Sequence, residues 1–325
     1  MTATPPSEAR EEQKITLSPA DHDHPVLKSR LKHAKPAQLI VEVKAKGKLR
    51  DEQMAKRLAD EAETILAKNP PRSIAIMVNR VATARSVAEK MEKANKGRVS
   101  LLIGRLRPID REAVTKGIQH WLKTGATASS AEHAPLIVVS TQCLEVGADL
   151  DFDALVTEAA SLDALRQRFG RLNRGGRDIV ARAVIVLPGD QDLSLDKLDD
   201  AAPCDPIYGN AIPRAWEWLR SIAKDDIVDF GINAMAAAVD QLRSKDPEAL
   251  TAMLSPTKNA PVLLPAYLDC WVQTNPAPAV EPDVALFLHG PQRDMTEVQV
   301  CWRGDLPATA NKEEWADILS LCPPT

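Results

Sequence analysis

The sequence predicts an α/β fold built on a doubly wound parallel sheet. Between residues 38 and 187, short apolar segments alternate with longer segments whose apolar residues recur near the helical period. The short segments at residues 74–78 and 136–139 are apolar throughout, which is typical of parallel strands covered on both faces. Aromatic residues make up only 4% of the chain and hydrophobic residues 44%, so we expect an aliphatic core. Such alternation predicts right-handed crossovers within one parallel sheet.

Each element has its own signal in the chain. Strands are predicted at residues 38–43, 74–78, 99–103, 136–139, 154–157 and 181–187. Helices are predicted at residues 51–68, 82–94 and 108–122, and a further one begins at about residue 162. Pro70 and Pro71 end the first helix, and Pro108 lies in the first turn of the third, where its missing N–H is tolerated.

The character of the sequence changes after Gly189. Residues 190–205 are acidic, and three further helices are predicted at residues 213–223, 231–244 and 247–254. Five prolines between residues 261 and 282 indicate a linker or a rigid extended segment, and two strands are predicted at residues 284–288 and 298–302. We therefore predict four parts: an extended connecting segment at residues 1–27, the α/β domain at 28–189, a helical accessory region at 190–260, and the proline-rich linker with short strands at 261–325.

Composition argues against several classes of protein. The five cysteines are scattered without a C-x-x-C pair, which argues against zinc and disulfides and fits a reducing cytoplasm. No apolar run approaches the roughly 18 residues of a membrane span. The segment Asp21-His22-Asp23-His24 has metal-binding residue types, but no further ligands follow in a recognisable pattern, so a solvated loop is favoured. The six tryptophans are more typical of core or partner-facing positions than of a stacking platform for single-stranded bases.

Charge is distributed unevenly along the chain. Residues 28–123 hold 23 Lys and Arg against 10 Asp and Glu, a local charge of +13, whereas residues 190–325 hold 10 against 22, or −12. This asymmetry suggests that a polyanion binds on one side only. The alternative, that the charges merely solvate helix faces, stays open for most of the lysines. It is less favoured for Arg105, Arg107 and Arg111, which lie near a strand end.

Residues 138–174 carry the most specific pattern. Arg171 and Arg174 lie three residues apart, so on a helix they share one face and can clamp a cluster of charged oxygens. Phosphoryl transfer needs such cations, because negative charge spreads over the transferring group in the transition state. Gly170 fits a close backbone approach, and Asp149 can meet a ribose hydroxyl or hold an arginine in position. For the two arginines taken alone, a solvated Arg-rich helix is the alternative.

Polar residues follow several of the predicted strands. In doubly wound sheets, ligands bind at the carboxyl ends of the strands. We therefore expect Asn79, Arg105, Thr141 and the loop into Asp149 at that edge.

Two stretches resemble motifs V and VI of superfamily 2 helicases. They are S-T-Q-C-L-E-V-G-A-D-L-D-F at residues 140–152 and D-A-L-R-Q-R-F-G-R-L-N-R at residues 163–174, and they resemble in particular the CRISPR-associated helicase–nuclease of type I systems. Residues 1–5 resemble motif III of that family, and residues 74–79 and 101–111 resemble its motif IV region. The resemblance runs in the family's order from residue 1 to about residue 189. It implies a second RecA-like motor lobe of an ATP-dependent DNA helicase in antiviral defence.

The resemblance also implies a role for each motif residue. Arg171 and Arg174 would be catalytic and reach the γ-phosphate of ATP. Nucleotide-binding roles would fall to Gln167, Gly147, Asp149 and Gly170, coupling of nucleotide state to lobe closure to Thr2 and Thr4, and DNA phosphate contacts to Asn79, Arg105, Arg107, Ser140 and Thr141. ATP and Mg²⁺ would be held mainly by an upstream lobe. The other implied partners are single-stranded DNA and a CRISPR RNA-guided surveillance complex.

A complete motor needs two further elements. Neither a G-x-x-x-x-G-K-[ST] loop nor an acidic pair at a strand end for Mg²⁺ occurs in these residues. We therefore expect a fragment, or a separately encoded second half, that begins inside motif III and does not hydrolyse ATP by itself. Two other functions stay open: a lobe of another superfamily 2 DNA or RNA helicase, and a non-catalytic nucleic-acid-binding module.

Overall fold

The structure is a computed structural model, and it describes part of the chain. The described residues are 18–41, 48–67, 70–94, 98–104, 106–124, 134–145, 149–189, 198–199 and 203–256. The chain divides into two compact units, residues 1–256 and 257–325, and all described residues lie in the first. The predicted division into four parts stays a prediction, and the strands predicted at residues 284–288 and 298–302 lie outside the described residues.

A seven-stranded sheet organises the first unit. Its strands are β1 (Pro36–Val41), β2 (Ser73–Met77), β3 (Arg98–Leu102), β4 (Leu136–Ser140), β5 (Ala154–Glu158), β6 (Arg182–Leu187) and β7 (Ile227–Asp229). Their order is β3-β4-β2-β5-β6-β1-β7, and all neighbours are parallel except β1 and β7. The predicted parallel α/β fold is confirmed. Strand β7 was not predicted, because three residues are too few to show a period-two pattern.

Helices follow the strands in the predicted order. They are α1 (Pro19–Asp23), α2 (Pro25–Lys32), α3 (Lys48–Ala67), α4 (Val81–Ala94), α5 (Pro108–Leu122), α6 (Leu162–Phe169), α7 (Ala211–Ile222), α8 (Ile232–Lys245) and α9 (Pro247–Ala252). Every helix predicted between residues 51 and 254 is present, with ends shifted by at most three residues. None of the helices in the described ranges is long and apolar enough to cross a membrane.

The sheet is covered on both faces, as a doubly wound fold requires. Along β2, Ile74 and Ile76 pack into the cluster formed with α3 and α4. The alternate residues Ala75 and Met77 pack into the opposite cluster, to which α5, α6, α7 and α8 contribute. Because side chains alternate across a strand, one apolar run supplies both core layers.

The described part of the predicted extended segment is helical, so that prediction is wrong after Ser18. Ser18 caps α1: its hydroxyl accepts the N–H of Asp21, whose carboxylate accepts the Ser18 N–H at 2.8 Å. Pro19 and Pro25 occupy the first positions of α1 and α2. Both positions suit proline, because it lacks the N–H that the first turn of a helix leaves unused.

Candidate functional site

Helix α6 positions the arginine-rich segment. Leu162, Leu165 and Phe169 are buried on one face of the helix, and the Phe169 ring stacks on Phe230 with centroids 3.9 Å apart. The helix ends at Gly170. The apolar face therefore packs α6 against the core, and this packing fixes where the residues after the helix begin.

Arg171 and Arg174 lie beyond the helix, in the turn that follows Gly170. The expectation that they share one helical face is therefore wrong. Leu172 instead forms a β-bridge with Phe152, just before β5. Tertiary contacts, and not helical spacing, set the positions of the two arginines.

Arg171 ties this turn to the loop after β4. Its residue is 8% exposed, and its Nε and Nη2 donate to the carbonyl oxygens of Leu144 (2.9 Å) and Glu145 (2.8 Å). Burial lowers the pKa of Arg171, and the nearby charge of Arg174 lowers it further. The structure thus joins the two stretches that carry the motif resemblance.

Arg174 and Asp149 form a partly exposed ion pair. The Arg174 Nε donates to Asp149 Oδ1 at 3.0 Å, and the two side chains are 38% and 52% exposed. The Thr124 hydroxyl donates to the same oxygen at 2.7 Å. That hydrogen bond, together with Arg174, holds the pKa of Asp149 below its ordinary value. The carboxylate therefore stays charged at neutral pH, and the guanidinium is held where a ligand can reach it.

The backbone beneath this pair rests on a carboxylate that sequence reasoning missed. Asp151 is 1% exposed and accepts from the backbone N–H of Arg174 (2.7 Å) and from that of Gly175 (3.3 Å). The Arg177 Nε donates to it at 2.9 Å. The Arg177 Nη2 donates to it as well, at 3.2 Å, so this buried carboxylate accepts four hydrogen bonds and fixes the backbone from which the Arg174 side chain extends.

Asp149 does not lie at the carboxyl edge of the sheet, where it was expected. Thr124, its partner, follows α5 on the way to the start of β4. Asp153, four residues later, donates its N–H to the Ser73 carbonyl at the start of β2. The loop after β4 thus runs back along the sheet, and the pair of Asp149 and Arg174 lies towards the amino ends of the strands.

Arg168 is the residue of this segment that the sequence reasoning did not single out. It is fully buried, and its five N–H groups all find acceptors. The acceptors are Glu145 (2.8 Å), Thr157 (2.9 Å), the Glu158 carbonyl (2.9 Å), Asn79 (2.9 Å) and Tyr208 (3.0 Å). Burial raises the pKa of Glu145 and Arg168 opposes that shift. This guanidinium therefore connects the ends of β2 and β5 with the loop after β4.

The predicted DNA-contacting residues at the carboxyl edge are buried. Asn79 accepts from Arg168 and donates its side-chain amide to the Ala159 carbonyl at 2.8 Å. The Ser140 hydroxyl donates to the Leu102 carbonyl at 2.8 Å, and Thr141 is 5% exposed. The structure brings these three residues together, but their polar groups are used within the lobe. Their contact with DNA stays a prediction.

The remaining predicted site residues divide into described and undescribed ones. Arg107 precedes α5, is exposed, and pairs with Asp110 through two hydrogen bonds of 2.6 and 3.0 Å. Gln167 is half-buried on α6, and a Cβ at Gly170 would lie 3.0 Å from the Gln167 carbonyl oxygen. Thr2, Thr4, Arg105 and Gly147 lie outside the described residues.

Lys35, like Asp151 and Arg168, was not predicted from the sequence. It is 4% exposed and its Nζ donates to the Phe169 carbonyl, at the C-terminal end of α6, at 2.8 Å. A cation there meets the negative end of the helix dipole. Burial nevertheless lowers the pKa of Lys35 to about 8. A single lysine on a connecting segment forms no sequence pattern, so the burial of Lys35 against the end of α6 could not be predicted from the sequence.

The described residues contain no group of three or more His, Cys, Asp or Glu side chains that could hold a metal ion. In the segment Asp21 to His24, the Asp21 carboxylate is engaged in the cap of α1 and the side chains are exposed.

A mostly parallel sheet of this kind, with the loop after β4 bound to the arginines after α6, matches the fold of a RecA-like helicase lobe. Residues 71–177, which contain both stretches, match the family model for the C-terminal region of the CRISPR-associated nuclease/helicase Cas3. The resemblance seen in the sequence is thereby confirmed for residues 71–177.

Known proteins of this family match part of the chain. The CRISPR-associated nuclease/helicase Cas3 of Methanothermobacter thermautotrophicus strain Delta H is 42% identical over 45 residues, which are 14% of this chain and 5% of that protein. The crystal structure of T. fusca Cas3 has a TM-score of 0.50 at 22% identity, covering 67% of this chain and 25% of that one. A T. fusca Cas3–ATP structure has a TM-score of 0.49 at 23% identity, covering 66% and 24%. The matches span a minor part of each relative's length.

Proposed function

We propose that this chain supplies the second motor lobe of an ATP-dependent helicase that moves on single-stranded DNA in type I CRISPR defence. The observation that carries the proposal is the arrangement of Arg171 and Arg174. One guanidinium is buried against the loop after β4, and the other is half-exposed beside a charged carboxylate. Two cations fixed at different depths on one turn suit a phosphate group that approaches from outside the lobe.

Arg174 is the group best placed to meet the nucleotide. Its backbone is held by the buried Asp151, while its side chain has only the exposed Asp149 as a partner in the contacts described above. ATP, when bound, supplies the γ-phosphate that this arginine would exchange for Asp149. Exchange of one exposed anion for another costs little, because neither ion is desolvated by the lobe alone. In this proposal ATP and Mg²⁺ would be held mainly by a lobe that carries the phosphate-binding loop.

Arg171 would act differently from Arg174. Its bonds to the Leu144 and Glu145 carbonyls mean that it orders the loop after β4 as well as adding positive charge. In this proposal Arg171 transmits the state of that loop to the nucleotide side. Gln167, Gly147, Asp149 and Gly170 would shape the nucleotide side, and Thr2 and Thr4 would couple nucleotide state to lobe closure. DNA phosphates would meet Asn79, Arg105, Arg107, Ser140 and Thr141, and the partner that delivers the DNA would be an RNA-guided surveillance complex.

The test uses a protein in which an upstream lobe with a phosphate-binding loop precedes this chain, called here the two-lobe protein. We expect Arg174→Ala to lower DNA-stimulated ATP turnover by about 10³-fold, the usual effect of removing a charge-stabilising arginine in phosphoryl transfer. Binding of single-stranded DNA without nucleotide should persist. Chain 1–325 by itself should show no ATP turnover.

The matched control is Arg220→Ala, because Arg220 is an exposed arginine of α7 that pairs with Glu217. Turnover in this variant should stay close to that of the wild type. Equal loss in the Arg174 and Arg220 variants would contradict the proposal. So would DNA binding by a two-lobe protein that never hydrolyses ATP, the result expected of a non-catalytic nucleic-acid-binding module.

A further inference from the structure

Residues 203–210 form a fixed turn ahead of α7. The Asp205 side chain is 2% exposed and accepts the backbone N–H groups of Ile207 (2.9 Å) and Tyr208 (2.8 Å). Gly209 follows with φ +57° and donates its N–H to the Asp205 carbonyl at 2.9 Å. Cys204 donates its N–H to the Asn210 side chain at 3.1 Å. Hydrogen bonds within the turn therefore fix its conformation and the orientation of the Tyr208 side chain.

The Tyr208 hydroxyl joins the two motif-bearing stretches. It is buried with its ring, which is 4% exposed, and accepts from Arg168 Nη2 at 3.0 Å and from Gln142 Nε2 at 3.4 Å. Arg168 lies on α6, whereas Gln142 lies in the loop after β4. One oxygen from a segment outside both motifs thus contacts both.

The same region holds the other end of α6. The Met253 carbonyl accepts the N–H of Leu162 at 2.9 Å, at the first residue of the helix. Ser255 donates its N–H to Asp163 at 2.9 Å, and the hydroxyls of Ser255 and Ser161 lie 2.9 Å apart. Residues 203–256 therefore contact α6 near both ends and fix the position of the helix.

We propose that Tyr208 is a positioning residue through which residues 203–256 couple the loop after β4 to the arginines after α6. The proposal rests on the proposed function, in which that loop senses DNA and those arginines serve ATP turnover. Tyr208 touches neither substrate in this view. It sets the relative position of the two motifs, so that DNA on one side changes the geometry of the arginines on the other.

Tyr208→Phe isolates the hydroxyl from the ring. The phenyl ring keeps the packing, but the buried Arg168 loses an acceptor that its Nη2 needs, and the half-buried Gln142 also loses an acceptor. The loop after β4 and α6 then lose the contact that they share through this oxygen. The matched control is Val239→Ala, which removes apolar volume from a side chain of α8 that is 2% exposed.

The first measurement needs only the chain of 325 residues. Hydrogen exchange followed by mass spectrometry compares peptides from residues 134–145 and 162–174 in the wild type and both variants. We expect Tyr208→Phe to speed exchange in both peptides by about 10-fold, since both lose a buried hydrogen-bond partner. Val239→Ala should speed exchange mainly in α8. Unchanged exchange at either motif in the Tyr208 variant would overturn the proposal.

The second measurement uses the two-lobe protein. Tyr208→Phe should lower the DNA-stimulated kcat by about 10-fold, as typical coupling between sites allows, with KM for ATP and the Kd for an oligothymidylate changed by less than about twofold. Val239→Ala, compared at an equal distance below its own Tm, should keep the stimulation. A kcat loss of equal size in both variants, or full stimulation in Tyr208→Phe, would show that the hydroxyl has no positioning role.

The two proposals fail in different ways. If the wild-type two-lobe protein shows no turnover that DNA stimulates, the proposed function fails, and the exchange measurement still decides whether Tyr208 holds the two motifs together. If turnover is normal in the wild type and the Tyr208 variant behaves like it, the inference fails alone.

Discussion

At the scale of single residues, burial decides what each arginine of α6 and its following turn does. Arg168 has no exposed surface and donates to five acceptors. Its removal should lower the free energy of unfolding by about 3–5 kcal/mol, the typical cost of removing one partner of a buried ion pair, because the remaining charges stay buried. Arg174 is 38% exposed with a 52% exposed partner, an ion pair of the kind that contributes about 1 kcal/mol or less. Arg168 is therefore suited to stabilising the lobe, and Arg174 is suited to binding a ligand.

Lys35 gives a pH-dependent stability that can be measured. Its pKa in the folded chain is about 8, below its ordinary value of 10.5, because burial disfavours the charge. Between these two values the unfolded chain holds more protons than the folded one, so the free energy of unfolding should rise with pH. Below pH 8 both states are charged and the full penalty of burying the ammonium applies.

The comparison is between the wild type and Lys35→Met in urea unfolding from pH 7 to 10.5. The wild type should gain on the order of 3 kcal/mol relative to the variant across this window. Other groups titrate in both proteins and cancel in the difference. A constant difference would mean that Lys35 keeps its ordinary pKa.

At the scale of elements, the turn after α6 is held by a helix from the start of the described chain. The Ser29 hydroxyl of α2 donates to the Gly176 carbonyl at 2.5 Å. Gly176 has φ +67°, and a Cβ there would lie 2.7 Å from the Arg30 backbone nitrogen. Glycine is required at this position both for its conformation and for the close approach of α2.

Two glycine-to-alanine variants test this assignment. Gly176→Ala should destabilise the chain by roughly 1–3 kcal/mol through backbone strain and displacement of α2. Gly117→Ala, inside α5 with no atom within 4 Å of the added Cβ, should stabilise it by about 0.5–1 kcal/mol. Chemical denaturation of both variants measures the difference. Opposite signs are expected, and destabilisation by Gly117→Ala would show that our account of α5 is wrong.

At the scale of the whole molecule, the two halves of the chain differ in charge, but both contribute to one sheet and its core. Residues 28–123 carry a local charge of +13, and residues 190–325 carry −12. The region after residue 189 nevertheless contributes β7 to the sheet and Trp216, Val239 and Met253 to the core under α6. A part that differs in charge is thus integral to the packing of the lobe.

Binding of single-stranded DNA should reflect this charge distribution. The logarithm of the binding constant should fall linearly with the logarithm of the salt concentration, and the binding constant should depend little on the DNA sequence. Arg107→Ala should reduce the magnitude of that slope by about 0.7, the share of one phosphate contact on a single strand. Arg243→Ala is the control, because Arg243 is an exposed arginine of α8 that pairs with Asp240. Fluorescence anisotropy from 50 to 300 mM salt (about the useful range) measures both slopes, and equal slopes in wild type and Arg107 variant would exclude Arg107 from the DNA path.

The amino-acid sequence was sufficient to predict the order and type of the elements between residues 38 and 189 and the family model that residues 71–177 resemble. Apolar periodicity is a local property, so residues 74–78 and 136–139 could be assigned to buried strands, and α5 to residues 108–122, without any knowledge of their neighbours. The two motif stretches likewise carry their resemblance in consecutive residues, and residues 71–177 match the family model.

Tertiary structure alone decided which side chains the site uses and for what. Arg168 lies in the same short run as Arg171 and Arg174, but its acceptors Asn79 and Tyr208 are 89 and 40 residues away. The role of a guanidinium depends on its burial and its acceptors, and both are set by distant segments that meet only on folding. For the same reason no local pattern reveals Lys35 under α6 or Tyr208 between the two motifs.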